Sequence, residues 1–251
     1  MKKFCNRLAL ALALTLLSTI AGAAQLIVSA AASLTNAFAE IGREYEAVHP
    51  GEKILLNFAG SGQLLQQIAR GAPVDVFASA DEETMDRASE RNLIDRASRV
   101  DFTRNSLTVI APVDSTIALR SLADLKKPFV QRIAISNPGS VPVGRYSRQV
   151  LERAGLWRTL ESKFINTQHV RQSLDYVARG EVDAGFVYST DAAIMPYKVK
   201  ILFEVPTPTA IRYPIAVVAG SSNRAEAIRF IDFVRSERGE KILAKYGFRS
   251  P

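Results

Sequence analysis

From residue 26 to residue 219, short apolar runs that suit buried strands alternate with segments whose apolar residues recur every three or four positions. Joined by short connections, that alternation specifies βαβ units and mostly parallel sheets. The stretch 26–30 reads as a strand, and Leu34, Ala37, Phe38, Ile41, Tyr45 and Val48 then fall on one helical face. His49-Pro50-Gly51 ends that helix and 54–58 is the next strand. Leu64, Leu65 and Ile68 mark a second amphipathic helix, closed by Gly71. A strand at 74–78 and a helix at 82–92 repeat the theme. Further on, 106–112 and 132–136 read as strands. A helix entered after Pro142 runs toward Gly155, another covers 173–179, and strands fall at 184–188 and 200–203. A strand at 213–219 and one long helix over 224–246 close the chain. Two strands resemble each other, Ser106-Leu-Thr-Val-Ile-Ala-Pro112 and Pro214-Ile-Ala-Val-Val-Ala219. They are either ordinary core strands or the paired segments by which a chain leaves one lobe and returns to it.

The first two dozen residues stand apart. Lys2, Lys3 and Arg7 precede an uncharged apolar run from Leu8 to Ile20, and Ala21-Gly22-Ala23-Ala24 follows. That order is a secretory signal peptide, with cleavage expected after Ala23 or Ala24. The run of about 13 residues is short of the roughly 20 that a membrane-crossing helix needs, which disfavours an anchor. Cys5, the only cysteine, precedes the run and cannot carry the lipid of a lipoprotein. The exported chain then has no disulfide, no cysteine-bound zinc and no thiolate nucleophile, which suits a bacterial periplasm. The formal net charge is +7, and three of those charges lie in the leader. The remaining basic residues are spread out and read as solvated surface, not as a nucleic-acid footprint.

The residue chemistry argues against an enzyme. Only His49, in a His-Pro-Gly turn, and His169 are histidines, and they lack metal-ligand spacing. Ser61 in Ala59-Gly60-Ser61-Gly62 does not match a nucleophile elbow. The same glycines match neither a dinucleotide loop nor a phosphate loop. What recurs is a strand ending in small residues, a serine, then a helix. Ser33 follows Ala30-Ala31-Ala32, and Ser61 follows Phe58-Ala59-Gly60. Each sets a hydroxyl and unpaired N–H groups at a helix N-terminus, where an anion is favoured. Either serine alone reads as readily as an N-cap. Two such ends on neighbouring parallel strands point further, because ligands collect at the carboxyl ends of those strands. Val141-Pro142-Val143-Gly144 opens another helix with unpaired N–H groups. Tyr188, in Phe186-Val187-Tyr188-Ser189, is either a core tyrosine or a phenol facing a cleft.

A set of stretches then carries a resemblance. They are Ala30-Ala-Ala-Ser-Leu-Thr-Asn36, Phe58-Ala-Gly-Ser61, Gly71-Ala-Pro-Val-Asp-Val-Phe-Ala-Ser-Ala-Asp81, Asn105-Ser106-Leu107, Val141-Pro-Val-Gly144, Gly185-Phe-Val-Tyr188 and Lys245-Tyr-Gly-Phe248. In order and spacing, over nearly the whole exported chain, they resemble the periplasmic molybdate-binding proteins of molybdate ABC transporters. The resemblance implies an α/β, type II periplasmic binding fold with two lobes, each a mostly parallel sheet flanked by helices, joined by a two-stranded hinge crossover. The expected division is a signal peptide over 1–24, a first lobe from 25–107 plus 215–251, and a second lobe over 108–214. The family's two serines fall on Ser33 and Ser61, its backbone contacts on Val143 and Val170, and its tyrosine on Tyr188. Gly60 stands where relatives often carry serine, so a looser loop is expected there. The implied ligand is molybdate or tungstate, with no cofactor. The implied partner is the membrane permease of an ABC transporter, and the implied state is a periplasmic monomer that binds no nucleic acid.

The matched residues make physical sense of such a ligand. Molybdate is a tetrahedral dianion with acceptor oxygens only, and hydroxyls with backbone N–H groups supply donors. Hydrogen phosphate would turn its proton toward a donor and leave it unpaired. Sulfate presents the same chemistry at a smaller size, so a receptor for another oxyanion is the alternative. A cytosolic regulator built on the same fold would need a DNA-binding helix-turn-helix where the leader stands. An exported enzyme is the remaining reading.

Overall fold

A computed structural model describes residues 24–251. The expected signal peptide, apart from Ala24, and Cys5 lie outside the described residues. The chain begins with β1 (Ala24–Ala31), α1 (Thr35–Val48), β2 (Glu52–Ala59), α2 (Ser61–Ala69), β3 (Val76–Ala78), α3 (Glu82–Glu90) and β4 (Val100–Asn105). It continues through β5 (Leu107–Pro112), β6 (Ile133–Ser136), α4 (Pro142–Arg153), α5 (Trp157–Leu160), β7 (Phe164–Thr167), α6 (Val170–Ala178), β8 (Ala184–Tyr188), α7 (Ser189–Ala193) and β9 (Val199–Val205). It ends with β10 (Ile211–Val217), α8 (Arg224–Val234) and α9 (Glu237–Lys245). Each helical stripe covers a sheet face. Phe38 and Tyr45 of α1 meet Phe230 of α8 with ring centroids 6.2 and 5.4 Å apart, beneath Phe102 of β4. All four rings are buried, and each contributes about 1.5–3 kcal/mol of burial.

Two five-stranded sheets result, ordered β2-β1-β3-β10-β4 and β7-β6-β8-β5-β9. They define a two-lobe α/β molecule. β1 is parallel to β2 and β3, while β10 is antiparallel to β3 and β4. The second sheet repeats this, with β6 parallel to β7 and β8, and β5 antiparallel to β8 and β9. Each sheet is therefore parallel but for one reversed strand, and the reversed strands are the two that resemble each other. The reversal has a geometric cause. Both sheets turn the carboxyl ends of their parallel strands toward the cleft, so a chain crossing the cleft must enter the other sheet against its direction.

Only Ser106 lies between β4 and β5, and residues 206–210 lie between β9 and β10. Leu107 pairs within the second sheet, and residues 211–214 pair with β4 in the first. The return crossing thus precedes the expected residue 215. The strand expected over 213–219 runs over 211–217, two residues earlier, and still contains Pro214. The proline sits at a register shift after Tyr213, where its missing N–H is tolerated.

The expected C-terminal helix is two helices. Ser236 breaks it, accepting a hydrogen bond from Gly239 N and donating one to Phe233 O. A Cβ at Gly239 would lie 2.3 Å from Val234 O, so the second helix starts pressed against the end of the first. β4 and β7 were absent from the sequence reading. The Val-Asp-Phe-Thr-Arg-Asn of β4 mixes charge with apolar residues because it is an edge strand with one covered face.

Candidate functional site

Small residues bring the backbone close at the mouth of the cleft. Ser33 sits in a 3-10 turn, Ala32–Leu34, between β1 and α1. Ser61 is the first residue of α2, whose N-cap is Gly60. Neither serine hydroxyl is used as a helix cap. Val143 lies in the first turn of α4 behind Pro142, Val170 opens α6, and Tyr188 ends β8. All five residues line one cavity between the lobes, with Ala31, Ala59, Ala80 and His169 beside them. The space is small.

Ser33, Ser61 and Tyr188 each bring a hydroxyl proton to the lining of this space. The N–H groups in the first turns of α2, α4 and α6 have no partner within their helices, and three helix dipoles converge there. Ala80 N donates to Ser61 Oγ at 3.0 Å, so the Ser61 proton is left for the cavity. Ser33 Oγ lies 3.0 Å from the Tyr213 hydroxyl. The Tyr188 hydroxyl reaches only Ala80 O, at 3.5 Å, the weak limit for such a bond. Tyr188 is wholly buried, and burial raises its phenol well above the ordinary value, so it stays protonated.

No unpaired cation faces the cavity among the described residues. Arg145 of α4 crosses the cleft to Asp81 Oδ2 at 2.6 and 2.9 Å, and to Thr84 Oγ1 at 2.6 Å. Arg171 Nε lies 2.6 Å from Asp191 Oδ1 in its own lobe. Its other nitrogens cross to Ser33 O at 3.0 Å and Asn36 Oδ1 at 2.7 Å. Burial pushes the Asp191 carboxyl up to about 6, with Arg171 opposing it. The two arginines nearest the site therefore hold the lobes together, each neutralised by an aspartate. A backbone bond from Gly62 N to Ser140 O at 2.9 Å and a Gln63–Gln168 bond at 3.0 Å complete the closure. Gly60, expected to loosen its loop, is instead tightly packed. A Cβ there would lie 3.1 Å from both Gln168 O and Val141 Cγ2.

The sequence reading gave no role to His169, Arg145, Arg171, Asp191 or Tyr213. Arg145 and Asp81 are 64 residues apart, a separation that leaves no local pattern. For His169, a polar residue one position before a helix start was the available signal. Its Nδ1 accepts from Gln172 N, capping α6, which fixes the neutral ring's proton on Nε2. Burial lowers its pKa from the ordinary 6.5. The fold therefore favours the neutral ring. The stability that this contributes is complete above the unfolded value and is lost as pH falls through it. His169→Asn keeps a capping oxygen without a titration. Thermal melts are expected to show the variant gaining about 1 kcal/mol on the wild type between pH 8 and pH 5. A pH-independent difference would remove the capping role.

A small cavity between two lobes that close on it is the architecture of a solute receptor. Residues 26–249 match the model of the bacterial extracellular solute-binding proteins, and the chain belongs to that family. It is 35% identical over 237 residues to the molybdate-binding protein ModA of Escherichia coli (strain K12), covering 92% of this chain and 91% of that protein. The solved periplasmic molybdate-binding protein of Azotobacter vinelandii superposes with a TM-score of 0.79 at 24% identity, over 90% of this chain and 99% of that one. The sulfate-binding protein SubI of Mycobacterium tuberculosis H37Rv superposes with a TM-score of 0.80 at 18% identity, over 90% of this chain and 87% of that one. Fold alone thus leaves the choice of solute to the site.

Proposed function

We propose that this chain binds molybdate, and tungstate as well, in the periplasm and delivers it to the permease of an ABC transporter as a monomer without catalysis. The observation that carries the reading is the convergence of Ser33, Ser61, Val143, Val170 and Tyr188 on one small space between the lobes, with donors and no free charge. The two serine hydroxyls, the phenol and the backbone N–H groups of Val143 and Val170 are its assigned contacts. Each desolvated hydrogen bond to a charged oxygen contributes roughly 1.5–3 kcal/mol, so neutral donors suffice for tight binding. The 35% identity to a molybdate-binding protein over most of both chains supports the choice of oxyanion. On this reading, hinge bending at Ser106 and at 206–210 opens the cleft, and the arginine contacts re-form on closure.

Calorimetric titration of the exported protein, stripped of ligand, with molybdate, tungstate, sulfate and phosphate tests this. One-to-one binding of the first two with rejection of the last two is expected. Preferential binding of sulfate would replace the solute while keeping the site. No binding of any of the four would sink the oxyanion reading.

A further inference from the structure

We infer that Asn105 and Tyr213 set the direction in which Ser33 points its proton, and so act as positioning residues for oxyanion selectivity. The inference rests on the molybdate reading above. Asn105 ends β4, and its Oδ1 accepts from the backbone N–H of Ser106 at 2.9 Å and from the Ser189 hydroxyl at 3.1 Å. A backbone N–H can only donate, so the amide cannot be turned round. Nδ2 therefore faces the other way, donating to Thr190 Oγ1 at 2.9 Å and to the Tyr213 hydroxyl at 3.2 Å. Tyr213 is wholly buried, and its own proton needs an acceptor. The Ser33 hydroxyl, 3.0 Å away, supplies it. Donation runs from Asn105 to Tyr213 to Ser33 and then into the cavity.

A serine hydroxyl ordinarily offers both a donor and an acceptor. Here one of its two accepting lone pairs is taken by Tyr213, and its proton is turned to the guest. Ser61 is polarised alike by Ala80 N. A guest carrying its own proton, such as hydrogen phosphate, meets two serines that have both been turned into donors. Selectivity against it is built one layer behind the contact residues.

Asn105→Asp keeps the shape and reverses the order. The introduced carboxylate accepts from Tyr213, Tyr213 accepts from Ser33, and the Ser33 proton leaves the cavity. Molybdate titration of the full exported chain is expected to show a loss of about tenfold to a hundredfold for Asn105→Asp. Ser33→Ala, which costs about as much in the wild type, is expected to cost less than about twofold on top of it. Adding Tyr213→Phe cuts the relay while leaving the introduced charge, and should restore the dependence on Ser33. A Ser33→Ala cost that is the same in all three backgrounds would mean that Asn105 is merely structural, and would overturn the relay. Should Asn105→Asp not fold, Tyr213→Phe and Ser33→Ala form a second cycle. The Tyr213→Phe loss should vanish once Ser33 is gone, and equal losses in both backgrounds overturn the relay. A wild-type protein that binds no molybdate fails the functional reading itself, and the relay's role with it.

Discussion

Replacing both serines, Ser33→Ala with Ser61→Ala, is expected to weaken molybdate binding by about a hundredfold or more, since two charge-assisted hydrogen bonds are lost. The structure adds a stability cost that the sequence did not foretell. Ser33 is the acceptor beside the buried Tyr213 hydroxyl, and Ser61 accepts from Ala80 N. Removing both oxygens strands two buried donors, at about 1–3 kcal/mol each. That is a sizeable share of the 5–15 kcal/mol that typically separates folded from unfolded chains. Calorimetry should therefore be paired with a thermal melt that shows the double variant folded at the temperature of the titration. Affinity equal to the wild type in a folded double variant would remove both serines from the site.

Gly62→Ala should be as damaging to binding while sparing the fold. Gly62 is the second residue of α2, where alanine is the better helix former by up to about 1 kcal/mol. In the closed molecule, however, an added Cβ would lie 2.5 Å from Ser140 O and 3.0 Å from Ser140 Cα, both backbone atoms of the opposite lobe. The lobes cannot reach their present separation with that atom in place, and the Gly62 N–Ser140 O bond is lost as well. A guest would then be held by the first lobe's serines without the second lobe's N–H groups and phenol. A fall in affinity of about a thousandfold follows from losing three such bonds. Small-angle scattering should show that added molybdate no longer contracts the variant. Contraction and affinity matching the wild type would mean that Gly62 does not gate closure.

Much of the architecture was legible because it is local. The three-and-four spacing of α1, the alanines at the end of β1 and the Pro142 that opens α4 are each written within a few residues. The five proposed contact residues were nameable as a set through the family resemblance; Ser33, Ser61 and Val143 also stood out locally at helix starts, whereas Val170 carried no local signal of its own. The surroundings of the five were not legible. Arg145 meets Asp81 and Gly62 meets Ser140 only because two separate sheets close on each other, while Asn105 meets Tyr213 because β4 and β10, far apart in sequence, pair in the first sheet. No periodicity within one segment encodes a contact between lobes. Likewise, the break at Ser236 was hidden because the apolar residues on either side keep helical spacing across it. The packing of Gly60 against the far lobe shows the same limit, since a glycine that reads as slack in a sequence can be demanded by crowding.

The placing of β10 between β3 and β4 also fixes the order in which the molecule can be finished. The second sheet is drawn from one unbroken stretch, Leu107 to Val205, and can assemble as soon as that stretch exists. The first sheet cannot. Until residue 217 has been made, β4 has no neighbour in its own sheet, and β3 is left as a bare edge. A chain arrested near residue 200 would thus carry three paired strands, a stray fourth and a nearly whole second lobe. The long-range pairings of β3, 76–78 with 215–217, must wait for β10. The lobe made first is the lobe completed last, and the cavity between the two finished lobes has to wait for β10.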